Sequence, residues 1–527
     1  MITFDYLTLK AFYEENKEYL KGSRIQKIQQ PTRRDLILSL RKNGEAKRLY
    51  ININPQFYHM CFTSKDSEGK RAISIPQKPP MFCMLLRKYI ENGIISRVNL
   101  PEYERIFELY IETYNELSEK IHICLAIELM GKYSNIILYN DDTNVIIGCA
   151  HNIGAEKSRN REIAGTLPYV YPPKQNKTDI LTYNGTFPVE NIQDKFLGFS
   201  STLVQKTKNK SLEEIKNMFL LKDICPHIAE NFENYSIFDD IDGYYVNSVN
   251  EVIDKYYSYQ IQKENIKTLK RTLLDSINPK IEKAKKTIEK IVQQTNKSKS
   301  SYKNRLYGDL IMANLYNNSD YKDKIEVYDY ENNQNITINL DKTKTLKENA
   351  ENFYKLYSKA KATIEKSKDY LASVTMNLDY LEQTKYSINL SQTYEELLEL
   401  KDEIIPAETK KQTVQKHSFM PEKIEVDGCL VFIGKNNKQN NYIVSKLAKD
   451  EDLWFHTKDC AGSHVLLKCP NPDDKLILKC ANFAKDFSSA SKSSKVGVIY
   501  TKAKNLKKPP KSPLGYVIYK GEKEIIL

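Results

Sequence analysis

At 527 residues, the chain has room for about three to five domains of ordinary size. Its 40% hydrophobic and 28% charged content describes a globular protein with much exposed surface, and no run of about 18 apolar residues offers a membrane span. The formal net charge of +12 favours a polyanion such as nucleic acid over an acidic small molecule as partner.

The N-terminal MITFDYLTLK lacks the basic-then-apolar pattern of an export signal, which predicts a cytoplasmic protein. Residues 1–175 read as a mixed α/β domain. Apolar, β-branched runs predict strands at Asp35–Leu40, Arg48–Ile53, Arg105–Ile111, His122–Leu129 and Asn135–Asn140. Phe82, Leu85, Leu86 and Tyr89 fall at helical spacing within Pro80–Asn92. Asn140-Asp141-Asp142 punctuates a hairpin. A Pro-rich linker follows, and residues 176–250 read as a compact helical segment. Phe196–Ser200 within it has the look of a turn between two short helices.

Residues 251–400 predict a coiled-coil hairpin. Ile266, Leu269, Leu273, Ile277, Ile281, Ala284, Ile288 and Ile291 form an a/d seam with one stutter. Phe353, Tyr357, Ala360, Ile364, Ser367, Leu371, Val374, Leu378 and Leu381 repeat strictly by four and three. Arms of about 40 residues would each reach roughly 60 Å. They would pair antiparallel, or else form two core helices of a bundle. Residues 300–345 would be the tip, with a helix at Tyr302–Leu315 and a hairpin at Asn332-Asn333. Glu251–Ser300 carries 12 Lys/Arg against 6 Asp/Glu, so this arm is basic. Residues 401–420 read as a polar linker and 421–527 as a second α/β domain. Its Ser491–Leu527 end holds nine lysines and two glutamates among Tyr500, Tyr516 and Tyr519, a mix that suits RNA backbone and bases.

The nine cysteines form no CxxC pair and mostly lie in apolar runs, which predicts reduced, buried thiols. The seven histidines show no metal-ligand pattern, the common nucleotide and hydrolase signatures are absent, and no cofactor is expected. The densest cluster is Asp452–Val465, with the single Trp. On a strand, Trp454, His456 and Lys458 would share one face, which suits stacking, base hydrogen bonding and phosphate contact. His456, His464 and Asp459 could instead form the acid–base set of a nuclease, or the ring could be a buried Trp with satisfied histidines. Upstream, Lys435, Asn436, Asn437 and Lys438 sit in a polar loop that could grip phosphates or be an ordinary hairpin loop. In the first domain, Glu104, Arg105, Glu128, Leu129, Met130 and Lys132 cluster at strand ends, either as tRNA contacts or as surface ion pairs.

Taken together, Gly22–Pro31, Pro80–Arg87, Glu128–Asn135, the GKNNKQN loop and DLWFHTKDCAGSHV resemble the NFACT family over essentially the whole chain. The resemblance implies an α+β multidomain protein: a glycosylase-like N-terminal domain, a helix-hairpin-helix domain, the coiled coil, and an RNA-binding NFACT-R domain. Ile2 stands where the glycosylases carry their proline nucleophile, so base excision is not expected. The Asp-Arg pair and Glu-Ile-Met run that bacterial members use for tRNA map to Glu104-Arg105 and Glu128-Leu129-Met130. Ala461 departs from the family's usual Pro. The implied role is ribosome-associated quality control. The protein would bind large subunits carrying peptidyl-tRNA, recruit alanyl-tRNA and direct untemplated C-terminal alanine tailing. It would position tRNA without being an enzyme itself. Two rival readings are a fibronectin-binding surface adhesin and an RNA nuclease.

Overall fold

The computed structural model describes residues 4–64, 73, 75–156, 161–317, 321–330, 332–405, 420–510 and 512–527. The chain forms two units, Met1–Asn265 and Ile266–Leu527. Ile2 and most of the 401–420 linker, from residue 406 to 419, lie outside the described residues.

In the first unit the helix Tyr6–Leu20 is started by Asp5, whose carboxylate accepts from Thr8 N at 2.9 Å. Leu7, Leu9, Phe12 and Leu20 bury against one sheet. Its strands are β1 Arg24–Gln29, β2 Asp35–Lys42, β3 Glu45–Asn52, β4 His59–Thr63, β5 Ile94–Asn99, β6 Ile106–Tyr114, β7 Lys120–Glu128, β8 Asn135–Asn140 and β9 Ile146–Cys149. They line up antiparallel as β4-β3-β2-β1-β5-β6-β7-β8-β9. The five strands expected from the sequence are all present, and β8 and β9 form the hairpin expected at Asn140. β6 and β7 pair over nine residues, from Ile106↔Glu128 to Tyr114↔Lys120. The expected helix forms over Met81–Ile90, with Cys83, Leu86 and Ile90 buried.

The segment 176–250 is helical only in its first part. Short helices at Ile192–Lys195, Ser201–Thr207 and Leu212–Phe219 give way to three two-residue strands, β10 His227–Ile228, β11 Tyr235–Ser236 and β12 Tyr244–Tyr245. Ile228 and Tyr235 are buried by that pairing. Gly198 turns between the first two helices at φ +78°. A Cβ there would press to 3.0 Å on Phe219 and Tyr103.

A helix Val249–Ser300 begins in the first unit and continues in the second. Within the second unit it meets the helix Leu346–Leu390, the second arm. Lys270 Nζ donates to Asn389 O at 3.1 Å, Lys285 pairs with Glu382 at 2.9 Å, and Tyr302 meets Tyr357 edge-on at 5.4 Å. Rising numbers on one arm meet falling numbers on the other, so the arms are antiparallel. Seam residues Leu269, Leu273, Ile277, Ile281 and Leu381 are buried, as the heptad spacing requires. A capping box, Thr345 with Glu348, starts the second arm. Between the arms lie a helix Lys303–Ala313 and the hairpin β13 Lys324–Asp329 with β14 Gln334–Asn339. They share a core of Leu310, Ile311, Ile325, Val327 and Ile338.

Lys401–Ile404, expected as linker, is instead the end of a helix Tyr394–Ile404. Leu397, Leu400 and Ile404 pack onto the seam, and that burial holds the turn. The last domain is a six-stranded sheet ordered β15-β16-β18-β17-β19-β20, from β15 Glu422–Val426, β16 Cys429–Ile433, β17 Leu453–Thr457, β18 Val465–Lys468, β19 Gly497–Lys502 and β20 Lys523–Ile526. The helix Asp474–Asp486 covers one face through Leu476, Cys480, Ala481 and Ala484. Cys429 and Cys469 form a disulfide with Cα atoms 5.4 Å apart, which corrects the expectation of nine reduced thiols. They flank the paired residues Leu430↔Lys468, so strand register brings together thiols 40 residues apart. The other seven cysteines are free.

Candidate nucleic-acid interface

In the first unit, antiparallel pairing sets the start of β6 beside the end of β7. Arg105 O accepts from Leu129 N at 2.8 Å, which draws Glu104-Arg105 against Glu128–Lys132. Gly131 at φ +63° turns the chain into a short Gly131–Tyr133 helix, and Ser134 Oγ accepts from Met130 N at 2.9 Å. Lys132 is exposed, with Nζ 4.9 Å from the Tyr133 ring. Arg105 is half-buried, and its Nη1 donates to Tyr58 Oη at 3.1 Å. Burial raises the Glu104 carboxyl; Arg105 opposes the shift and Glu128 adds to it.

Glu128 and Leu129, expected as direct contacts, are both fully buried. Glu128 is held by Arg161 through two bonds of 2.6 and 2.8 Å and by Tyr169 Oη at 3.1 Å. A buried carboxylate needs such a cation. The partner lies 33 residues away, and sequence reasoning missed it. The available signal was a glutamate ending the apolar run HICLAIEL. The neighbouring buried Glu108 is likewise caged, by Tyr171 at 2.6 Å and Asn99 at 2.7 Å. Tyr139 and Tyr169 stack at 4.4 Å, and burial holds both phenols far above their usual range. Glu104, Arg105, Met130 and Lys132 are thus the members left facing outward in part or in full.

In the second unit Trp454 and His456 do share a face of β17, with rings stacked at 5.7 Å and 6°. His464 meets both edge-on, at 5.1 and 5.2 Å. Trp454 is only 1% exposed, packed with Leu466, Ile499 and Ile443, so its faces serve as core and not as an open platform for a base. Lys458 continues the ladder beyond β17, its N–H donating to Gly497 O at 2.8 Å, and stays on the face of Trp454 and His456, exposed and paired with Glu524 at 2.9 Å. His456 is pushed down to about 4 by burial. His464 falls well below the usual histidine range through burial and then through His456. Both imidazoles are therefore neutral at pH 7. His456 Nε2 lies 3.3 Å from Gly462 O and donates to it.

The expected polar loop is a helix, Asn437–Tyr442, capped by Asn436, whose Oδ1 accepts from Gln439 N at 2.9 Å. Asn436 and Asn437 are buried. Asn437 Nδ2 donates to Thr384 Oγ1 at 2.9 Å and to Glu403 Oε1 at 3.2 Å. Asn436 Nδ2 reaches Glu399 Oε2 at 3.3 Å, and Lys438 Nζ reaches Glu399 O at 3.3 Å. Lys435 pairs with Glu422 at 3.0 Å. These residues clasp the last sheet to the helices Leu346–Leu390 and Tyr394–Ile404. Next to that clasp a cleft of about 530 Å³ opens, with Asp379, Glu382 and Gln383 on the helical side and Trp454, Thr457, His464, Tyr516 and Tyr519 on the sheet side.

Among the described residues no group of three or more His, Cys, Asp or Glu could hold a metal ion. No described helix is long and apolar enough to cross a membrane.

A β-sheet domain, paired long helices and a terminal α/β domain define a multidomain α+β protein. Residues 5–418 match the NFACT N-terminal and middle domains and residues 416–524 match the NFACT protein RNA binding domain. The chain belongs to the NFACT family. The Rqc2 homolog RqcH of Bacillus subtilis is 29% identical, over 100% of this chain and 98% of the relative. The Rqc2 homolog RqcH of Streptococcus pneumoniae is 27% identical, over 99% and 97%. Among solved structures, the N-terminal part of the fibronectin/fibrinogen-binding protein from Streptococcus suis aligns with a TM-score of 0.42 at 26% identity, covering 48% of this chain and 99% of that one.

Proposed function

We propose that this protein is a ribosome-associated quality control factor that works on large subunits still carrying peptidyl-tRNA. It would recruit alanyl-tRNA and direct untemplated C-terminal alanine addition to the stalled chain as a degradation mark. The observation that carries this reading is similarity to the Rqc2 homolog RqcH along the full length of both chains. A basic helical arm, with Arg271, Lys283, Lys286 and Lys290 exposed, and exposed Lys492, Lys495, Lys507, Lys520 and Lys523 in the last domain support a polyanionic partner. Peptide bonds would be made by ribosomal RNA, and the protein would act by positioning tRNA. On this reading it is not itself an enzyme.

Arg105 is the residue to test. Its guanidinium is half-buried on Tyr58, and a second edge could hold a phosphate or base in a two-bond contact. Arg105→Ala should abolish tRNA recovery in a pull-down with tRNA sequencing, and remove alanine tails from a stalled reporter read by mass spectrometry. Large-subunit binding should survive. Normal tails from a folded Arg105→Ala protein would refute the assignment.

A further inference from the structure

A group of cations shares one exposed face of the first sheet. β1 and β2 pair Arg24 directly with Arg41 and Lys27 with Ser39, and β3 sets Arg48 on the other side of Ser39. Residues paired across an antiparallel ladder point to the same side. Their sequence neighbours Ile25, Leu40 and Leu49 are fully buried, so Arg24, Lys27, Arg41 and Arg48 point outward, and all four are exposed. Among the described residues Arg24, Lys27 and Arg41 have no ion-pair partner. Elsewhere in the same unit Lys17, Lys47, Lys88 and Lys120 each close an ion pair, at 2.6, 3.2, 2.9 and 2.8 Å.

Two features set this face apart from an ordinary solvated charge run. Like charges directly opposite each other destabilise a strand pair, yet Arg24 stands opposite Arg41. The register also shifts between Ile25 and Lys27, where Gln26 is an extra residue in β1. Strict alternation would turn Lys27 to the core side with Ile25. The bulge returns it to the side of Arg41, the kind of re-aiming that bulges perform next to functional sites. The Arg41 row and the Ser39 row lie about 7 Å apart along the strands, with about 5 Å between strands. The face is open and its cations are spread out. A single small anion would meet them one at a time and stay hydrated, whereas a chain of successive phosphates meets all three and releases its counterions.

We infer that Arg24, Lys27 and Arg41 hold the sugar–phosphate backbone of tRNA, as a second contact separate from Arg105; this rests on the reading of the protein as a tRNA-positioning factor. The Asp35, Asn52 and His59 row lies beside Tyr58, the residue that holds Arg105. From Asp35 to Arg41 the strand β2 runs about 20 Å at roughly 3.4 Å per residue. No single phosphate reaches both places, but one folded RNA does. Arg105, half-buried on Tyr58, is placed to discriminate, and this face adds affinity that carries no sequence information.

The full-length protein is titrated into fluorescently labelled unfractionated tRNA, and anisotropy is read from about 50 to 200 mM salt. The triple variant Arg24→Gln/Lys27→Gln/Arg41→Gln should bind at least about tenfold more weakly at low salt, with a slope of log affinity against log salt shallower by about two to three. Arg24→Lys/Arg41→Lys keeps the charge and should keep the slope. Arg41→Gln relieves the opposition to Arg24, so its melting temperature should equal or exceed the parent's; a clear fall would mark these side chains as structural and overturn the proposal. Lys17→Gln/Lys88→Gln/Lys120→Gln removes the same charge from paired positions, and an equal loss of binding there would overturn it too, since net charge alone would explain the effect. Unchanged tRNA binding by the first triple variant, while Arg105→Ala abolishes it, would refute this face and leave the proposed function standing. A parent protein that binds no tRNA would refute both. Loss of large-subunit sedimentation with tRNA binding intact would give the face to ribosomal RNA, and a loss confined to polyglutamate, run as a second polyanion, would give it to an acidic protein; either contradicts the assignment to tRNA.

Discussion

Removing Arg161 should cost the first unit more than any surface ion pair. Glu128 is fully buried, and Arg161 supplies two of the bonds that hold its carboxylate, at 2.6 and 2.8 Å, with a guanidinium side chain only 11% exposed. Arg161→Met keeps much of the packing on Tyr169 but strands the carboxylate. A buried charge stripped of its partner costs about 3–5 kcal/mol. At roughly 2–4 °C per kcal/mol for a domain near this size, the melting temperature should fall by on the order of 10 °C. The control is Lys88→Met, which breaks the exposed Lys88–Glu116 pair and should cost no more than about 1 kcal/mol. The double variant Glu128→Leu/Arg161→Met should be milder than Arg161→Met alone, because it removes the stranded charge. Differential scanning calorimetry of the parent protein, these three variants and Glu128→Leu alone decides the matter. A loss below about 1 kcal/mol for Arg161→Met, in the range of a surface pair, or additive single and double effects, would refute the reasoning. The same buried pair bears on function: loss of tRNA binding in a Glu128 variant would act through the position of Arg105 and Met130, not through a lost contact.

His456 has a folded-state pKa lowered to about 4 from an ordinary 6.5, so the unfolded chain takes up its proton first. Its contribution, about 3 kcal/mol, is fully present above pH 6.5 and is lost as pH falls toward 4. Urea melts followed by Trp454 fluorescence at stepped pH should show that decline, and His456→Gln should flatten it. Leu273→Ala opens the fully buried seam between the arms and should cost about 2–5 kcal/mol, read by helical circular dichroism on heating. Gly434→Ala places a Cβ 2.9 Å from Asn440 N and on the Asn440 side chain. It should destabilise the clasp by about 1–3 kcal/mol, and an unchanged Trp454 unfolding midpoint would count against that clash.

The elements legible in the sequence were those with a strong period. Strands β2 and β8 came from apolar, β-branched runs that the sheet buries almost continuously, and the arms came from a heptad seam whose Leu269, Leu273, Ile277, Ile281 and Leu381 are buried. The site was less legible because its residues are defined by partners distant in sequence. Glu128 looked like a surface charge until Arg161, 33 residues on, was placed against it. Asn436 and Asn437 looked like loop donors. Their partners Glu399, Glu403 and Thr384 sit on helices that no local pattern ties to residue 437. Trp454, His456 and Lys458 do alternate onto one strand face, but the Trp454 ring is covered by Tyr519 and His464 and Lys458 is held by Glu524. The Cys429–Cys469 disulfide depends on the register of β16 with β18, which spacing alone does not reveal.

The most direct test of the account is sedimentation of the purified protein with large ribosomal subunits, small subunits and intact ribosomes at stepped salt. The account predicts co-migration with large subunits, strongest when they carry peptidyl-tRNA. Binding should weaken steeply as salt rises, because lysines and arginines contacting phosphates release counterions. Migration with small subunits alone, or no association with large subunits even at low salt, would contradict it.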